Sequence, residues 1–142
     1  MKILILCTGN SARSQMAQSF LQSFDPKLKV RSAGTEPASQ VNPNAVKAMR
    51  EAGIDISDHT PTLVDQYLDE PWDYVITVCD HANETCPAFL GQVHHRLHMG
   101  FEDPAAAQGT EEEIINKFRE VRNQIEKEFK QLYERTIKHN DH

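Results

Sequence analysis

The first 24 residues place the strongest constraint on the fold. Residues 2–6 form a short apolar run typical of a buried strand, and the polar pair Gly9-Asn10 bounds it. Residues 13–24 then carry apolar side chains at helical spacing, until Asp25-Pro26 stops the helix. A buried strand that leads through a short polar loop into a helix indicates an α/β protein.

The rest of the chain continues this alternation. Further strands are predicted at residues 28–32, 73–79 and 96–99. Asn42-Pro43 predicts the start of a second helix, with Gly53 as the left-handed residue beyond its end. A short helix is expected over residues 60–68. Near the C-terminus, the capping box Thr110-Glu111-Glu112-Glu113 precedes apolar residues at every third or fourth position from 114 to 132, which predicts a long final helix.

These elements predict a single three-layer α/β domain with a four-stranded parallel sheet flanked by helices. The domain is expected to span residues 1–142, with a frayed polar tail from about residue 138. In such sheets, ligands bind beyond the carboxyl ends of the strands. Cys7 and Cys79 both fall at such ends, so we expect the functional site there.

Charge and hydropathy exclude several classes of partner. The net charge is −6, from 21 acidic and 15 basic residues, whereas general nucleic-acid binders are more often basic. No apolar stretch approaches the ~20 residues of a membrane span, and the N-terminal apolar run is too short for a signal peptide. We therefore expect a cytoplasmic protein that binds neither nucleic acid nor membrane, and a monomer is the default for the predicted fold.

The loop between the first strand and the first helix is the candidate binding site. A loop in this position turns its backbone N–H groups inward and holds an anion at the helix N-terminus. Gly9 permits a backbone conformation that a side chain would obstruct, and Arg13 can grip two oxygens of an oxyanion through its planar fork. The sequence of the loop is Cys7-Thr8-Gly9-Asn10-Ser11-Ala12-Arg13-Ser14.

Cys7 is the candidate nucleophile of this loop. The helix dipole and the donors around it are expected to lower the pKa of the Cys7 thiol, so that it is a thiolate at neutral pH. The Ser14 hydroxyl can donate to that thiolate, and the Asn10 side chain can brace the loop. The alternative is a buried structural cysteine at a strand end, which would require neither the internal glycine nor the following arginine and serine.

The segment from Cys7 to Ala17 resembles the active-site loop of the low-molecular-weight tyrosine phosphatase superfamily. It is especially similar to that of the thioredoxin-coupled arsenate reductases within the superfamily. The resemblance continues through residues 32–35 and 53–56 to Asp103-Pro104. It implies a phosphatase-like fold, Cys7 and Arg13 as catalytic residues, and loop residues 8–14 as the substrate site. Ala12 departs from the phosphatases, which usually carry a second cysteine there.

Two further cysteines favour a reductase over a phosphatase. Reduction of arsenate needs two electrons, which a cysteine pair supplies by forming a disulfide. The spacing of Cys79 and Cys86 is similar to that in the thioredoxin-coupled reductases, which implies successive Cys7–Cys79 and Cys79–Cys86 disulfides and reduction by thioredoxin. The alternatives are a buried strand cysteine with an incidental loop thiol, or a zinc site with nearby histidines (His81, His94, His95 and His98). Because known zinc spacings are not matched, no structural metal is expected.

Asp103 is the acid that the resemblance implies. Judged without the resemblance, an exposed loop aspartate would be the better interpretation. With it, Asp103 protonates the departing oxygen. Phosphatases of the superfamily often have an aromatic residue after Asp-Pro, and Ala105 leaves that wall absent, which favours a small inorganic substrate.

A monovalent cation is the only bound cofactor that the resemblance raises. Some reductases of this family hold one near the loop, and Asn10, Ser32 and Asp65 are the candidate ligands. Gln18 stands where a carboxylate is expected, so a loop braced by hydrogen bonds alone is the favoured alternative.

Three functions remain after this reasoning. Arsenate reduction leads, a low-molecular-weight protein tyrosine phosphatase is the runner-up, and a redox-sensing anion-binding module without turnover is third. Cys79 and Cys86 discriminate against the phosphatase, and Asp103 against the sensor.

Overall fold

Four parallel strands form the centre of the protein. The structure is a computed structural model that describes residues 1–80, 82 and 88–140, without the side chain of residue 140. The strands are β1 (Lys2–Cys7), β2 (Lys29–Gly34), β3 (Trp72–Thr77) and β4 (Val93–His98), and their order is β2-β1-β3-β4. The predicted four-stranded parallel sheet is therefore confirmed.

β1 lies between its two neighbours and is the most deeply buried strand. Residues 3–6 are fully buried, which explains why the strand reads as a continuous apolar run rather than as alternating residues. Cys7 pairs with Gly34 on one side, and Leu6 pairs with Thr77 on the other. The chain thus leaves β1 in one direction to form β2 and returns past it to form β3. This reversal opens a crevice at the carboxyl ends of β1 and β3.

The three longer helices are α1 (Arg13–Phe24), α2 (Pro43–Glu51) and α3 (Glu111–Leu132). Asn42 caps α2 by accepting a hydrogen bond from the Asn44 amide, and Gly53 beyond its end has a φ of 86°. The capping box of Thr110 and Glu113 starts α3. α3 packs against α1 and α2 through a buried stripe of Ile115, Phe118, Val121, Ile125 and Phe129, in which Ile115 rather than Ile114 occupies the first buried position.

The predicted helix over residues 60–68 is wrong except for one 3-10 turn, Val64–Tyr67. The residues before this turn are bonded to distant parts of the chain. The Thr62 carbonyl accepts a hydrogen bond from the Gly34 amide at 2.8 Å, and the Thr62 amide donates to the Asn10 side chain at 2.9 Å. These bonds hold the backbone beside β2 and the candidate loop.

Several strand boundaries also differ from the prediction, and β2 ends at Gly34 rather than at residue 32. β3 ends at Thr77, so that Cys79 lies two residues beyond the strand rather than within it. β4 begins at Val93 instead of residue 96. The sequence pattern missed this start because His94 and His95 are polar and exposed at the edge of the sheet.

The C-terminal part stays helical to the end of the described region. α3 continues through a π-helical turn, Tyr133–Ile137, to Lys138–Asn140. Residues 141 and 142, at the end of the tail that we expect to fray, lie outside the described residues. No helix in the described part of the chain is both long and apolar enough to cross a membrane.

Candidate active site

The loop of residues 7–14 connects β1 to α1 at the carboxyl edge of the sheet, inside the crevice beside β3. Its carbonyl groups are bonded outward to the segment that follows β2. The bonds run from the Thr35, Glu36, Ala38 and Asn42 amides to the Cys7, Thr8, Gly9 and Ser11 carbonyls, at 3.2, 2.9, 2.9 and 2.8 Å respectively.

The amide groups of the loop are left for a ligand. Among the described residues, no backbone or side-chain group accepts a hydrogen bond from the amides of residues 9–13. A row of unpaired N–H groups at the start of a helix forms a site for an oxyanion. The arrangement is therefore suited to the anion-binding role that the sequence predicts for residues 8–14.

Asn10 braces the loop from within. Its Nδ2 donates to Ser14 Oγ at 2.7 Å and to Ser32 Oγ at 2.9 Å. Its Oδ1 accepts from the Thr62 amide at 2.9 Å and from Gln15 Nε2 at 3.2 Å. Asn10 is fully buried and has a φ of 50°. The loop thus places its left-handed residue at Asn10 and not at Gly9, because the asparagine side chain satisfies its bonds in that conformation.

Gly34, the last residue of β2, is required by the loop. A Cβ atom at this position would lie 2.4 Å from the Thr8 carbonyl oxygen and 3.1 Å from the Asn10 amide nitrogen. By contrast, a Cβ on Gly9 would come no closer than 3.5 Å to any neighbour. The absent side chain that matters to the loop is therefore on β2, and no local signal in the loop sequence reveals it.

Arg13 and Asp103 come together at the rim of the loop. Arg13 Nη1 donates to the Phe101 carbonyl at 3.0 Å, and Nη2 lies 3.7 Å from Asp103 Oδ2. The Arg13 side chain is 14% exposed and that of Asp103 is 45% exposed. The second carboxylate oxygen of Asp103 accepts a bond from the Ala105 amide at 3.0 Å. This bond holds Asp103 at the start of a short 3-10 helix, Pro104–Ala106.

The thiols of Cys7 and Cys79 are in direct contact. Both residues are 3% exposed, both are unoxidised, and the two sulfurs share a hydrogen bond. The Thr8 hydroxyl is bonded to Cys79 Sγ at 3.3 Å. The expected approach of Cys79 to Cys7 is therefore present in the reduced protein. Cys86 and His81 lie outside the described residues.

The hydrogen bond between the two thiols moves their pKa values in opposite directions. Donation from the Cys7 thiol, the Thr8 hydroxyl and the Ala82 amide lowers the pKa of Cys79 to about 5. The same bond to Cys79, together with burial, raises the pKa of Cys7, and the attraction of Arg13 does not compensate. The expected lowering of the Cys7 pKa is thus wrong, because the Cys7 thiol donates a hydrogen bond to Cys79 and is buried.

The described histidines, His94, His95 and His98, do not form a metal site with Cys7 and Cys79. No group of three or more metal-ligating side chains occurs among the residues that the structure describes. His94 and His95 are exposed on β4. His98 instead forms hydrogen bonds to Thr77 and Asp80.

The residues proposed for a monovalent cation do not fit one. Asn10 Oδ1 already accepts two N–H bonds, and Ser32 Oγ accepts from Asn10 while it donates to Gln18 Oε1. Asp65 is exposed on the 3-10 turn. With its oxygens engaged and a neutral Gln18 in place of a carboxylate, this cluster braces the loop through hydrogen bonds.

Comparison with known proteins agrees with this geometry. Residues 2–142 match the family model described as low molecular weight phosphotyrosine protein phosphatase. The chain is 50% identical to an arsenate reductase of Halalkalibacterium halodurans over 133 residues, which cover 93% of this chain and 94% of that one. It is 47% identical, with the same coverage, to an arsenate reductase of Bacillus subtilis.

A solved structure supports the same assignment at the level of the fold. It is described as an arsenate reductase in the phosphate binding state, and it superposes with a TM-score of 0.78 at 31% identity. The superposition covers 94% of this chain and 97% of that one. Sequence, fold and loop geometry together show that the chain belongs to the low molecular weight phosphotyrosine protein phosphatase family.

Proposed function

We propose that the protein reduces arsenate to arsenite through a relay of three cysteines that thioredoxin regenerates. The observation that carries the proposal is the contact between the Cys7 and Cys79 thiols beside an oxyanion-binding loop. A phosphatase needs one sulfur at this place, whereas a two-electron reductase needs two within reach of each other. The arsenate reductases among its relatives support the choice of substrate.

In the first step, arsenate binds to the loop amides and to Arg13, and Cys7 Sγ bonds to arsenic. One arsenate oxygen leaves as water. The proton of the Cys7 thiol passes to an oxygen of the bound arsenate as the sulfur–arsenic bond forms, so that Cys79 remains a thiolate. Asp103, next to Arg13 at the rim, transfers a proton to the leaving oxygen.

In the second step, the Cys79 thiolate attacks Cys7 Sγ. The sulfur–arsenic bond breaks with its electron pair going to arsenic, so that As(V) becomes As(III) and the two thiols become a disulfide. The lowered pKa of Cys79, about 5, supports this role because the thiolate is the attacking species. No external reductant is required until this point.

Cys86 then attacks Cys79 and frees Cys7, and thioredoxin reduces the resulting Cys79–Cys86 disulfide. This step rests on the spacing of the two cysteines and on the family resemblance. The cytoplasm, which keeps thiols reduced, is the compartment that suits such a cycle. The protein is proposed to act there as a monomer.

The runner-up is protein tyrosine phosphatase activity, since Cys7, Arg13 and Asp103 serve that reaction as well. Ala105, exposed after Pro104, offers no aromatic wall for a tyrosine ring. One assay separates the alternatives: arsenate, thioredoxin, thioredoxin reductase and NADPH are supplied, and NADPH loss is followed beside aryl phosphate hydrolysis. The proposal expects NADPH loss that depends on arsenate and on Cys79. Fast aryl phosphate hydrolysis without NADPH loss would indicate the phosphatase, and neither activity would indicate an anion sensor.

A further inference from the structure

We propose that His98 is a positioning residue for Cys79 and acts through Asp80. His98 Nε2 lies 2.9 Å from Asp80 Oδ1, and its Nδ1 lies 2.8 Å from Thr77 Oγ1. The imidazole thus bridges the two residues that flank the Val78-Cys79 dipeptide. The inference deepens the proposed function, on which its turnover measurement rests.

The chain before Cys79 is held by the sheet, and the chain after it is held by His98. The Val78 amide donates to the Leu6 carbonyl at 2.9 Å, and the Phe101 amide donates to the Val78 carbonyl at 3.1 Å. Beyond Cys79, the side chain of Asp80 is 87% exposed, and its contact in the described structure is with His98. An exposed carboxylate has little packing to hold it, so among the described contacts this hydrogen bond is the one that restrains Asp80.

Gly100 lies against the hydrogen bond between His98 and Asp80. A Cβ atom at Gly100 would lie 3.3 Å from His98 Nε2 and 3.4 Å from Asp80 Oδ1. The two atoms that meet in the hydrogen bond are therefore the two that a side chain at position 100 would press on first. The loop that leads to Asp103 leaves room for the pair.

The consequence for the reaction lies in the Ala82 amide. This amide donates to the Cys79 sulfur and helps to lower its pKa, and it is two residues beyond Asp80. If the turn at Asp80 loosens, the amide leaves the sulfur, the thiolate loses a donor, and Cys79 drifts from Cys7. Attack of Cys79 on the arsenic-bearing sulfur then slows, whereas arsenate binding in the loop stays intact.

Any substitution that removes the carboxylate of Asp80 also removes a negative charge one residue from Cys79. The test therefore compares Asp80→Asn with Asp80→Ala. Both variants are neutral, but only asparagine keeps an oxygen that can accept from His98 Nε2. Because Asp80 is exposed, neither substitution removes core packing.

The first measurement needs no arsenate. The rate at which iodoacetamide alkylates Cys79 is followed against pH by peptide mass spectrometry, which resolves Cys79 from the other two cysteines. The midpoint of the profile reports the Cys79 pKa, and its plateau reports accessibility. We expect the Asp80→Ala midpoint at higher pH than the Asp80→Asn midpoint, with alkylation at pH 5 slower by about threefold to tenfold, as for loss of one hydrogen bond.

The second measurement is turnover with arsenate and the thioredoxin system. We expect kcat of Asp80→Ala to fall by about threefold to tenfold relative to Asp80→Asn, with KM within about twofold. Gly100→Ala should have a smaller effect in the same direction, because its Cβ would come within 3.3 Å of His98 Nε2. Identical profiles for the alanine and asparagine variants would overturn the positioning role, even in a protein that reduces no arsenate. A fall in arsenate affinity instead of kcat would also overturn it.

Discussion

The substitution Gly34→Ala tests how the loop is held. The added Cβ would lie 2.4 Å from the Thr8 carbonyl oxygen, whereas carbon and carbonyl oxygen normally approach to about 3.3 Å, so loop and strand must separate by roughly 0.9 Å. β2 and β1 are paired at this point, and the strain cannot relax through a flexible side chain. We expect a loss of about 1–3 kcal/mol in the free energy of unfolding, as for other overpacked sites.

The effect of Gly34→Ala on activity should exceed its effect on stability. Thr8 lies in the oxyanion loop and its hydroxyl contacts Cys79, so a shift of nearly 1 Å should lower kcat/KM for arsenate by about 10²-fold. Gly91→Ala is the matched control: its Cβ would lie 2.2 Å from the Glu70 carbonyl oxygen, far along the chain from the loop. Urea unfolding and arsenate turnover of both variants are compared. Equal losses of activity at equal losses of stability would refute the reasoning.

Three further perturbations have defined outcomes. In a Cys86→Ser background, Cys79→Ser should lower the pKa of Cys7, because the sulfur that accepts a hydrogen bond from the Cys7 thiol is gone while Arg13 remains. Thiolate absorbance against pH measures this, and an unchanged titration would contradict the proposed hydrogen bond. Asn10→Ala removes four hydrogen bonds and leaves alanine at a φ of 50°. The free energy of unfolding should therefore fall by about 3 kcal/mol and phosphate binding should weaken, and calorimetry measures both. Arg119 and Arg122 lower the pKa of Glu51 to about 2, so the stabilising effect of Glu51 is complete above pH 4.5 and disappears as the pH falls towards 2. The difference in urea midpoint between the native protein and Glu51→Gln should shrink over that window. A constant difference would contradict the linkage.

Local patterns were sufficient for the elements that depend on neighbouring residues. β1 is an unbroken apolar run because it is buried on both faces, and α1 follows directly from the periodicity after Arg13. The starts of α2 and α3 follow from capping residues that form hydrogen bonds within three positions. The candidate loop could be located for the same reason, since strand, loop and helix are contiguous.

Long-range contacts determined what local patterns missed. Residues 60–63 are extended because Asn10 and Gly34 bond them, and neither partner is near in sequence. Gly34 is required because a Cβ there would collide with the Thr8 carbonyl oxygen. The pKa of Cys7 depends on the sulfur of Cys79, which lies just beyond β3. The sequence predicts both cysteines at strand ends, whereas the hydrogen bond between their thiols depends on how the strands are arranged in the fold.

The central claim is that Cys7 and Cys79 together supply the two electrons of arsenate reduction. The Cys86→Ser variant isolates this step, because no Cys86 thiol is present to attack the Cys7–Cys79 disulfide. The reduced variant is mixed with arsenate without thioredoxin, arsenite is quantified, and disulfide-linked peptides are identified by mass spectrometry. The account predicts one arsenite per protein molecule and a Cys7–Cys79 disulfide formed at the same rate. Arsenite without that disulfide, or an arsenic adduct on Cys7 that persists while Cys79 stays reduced, would contradict it.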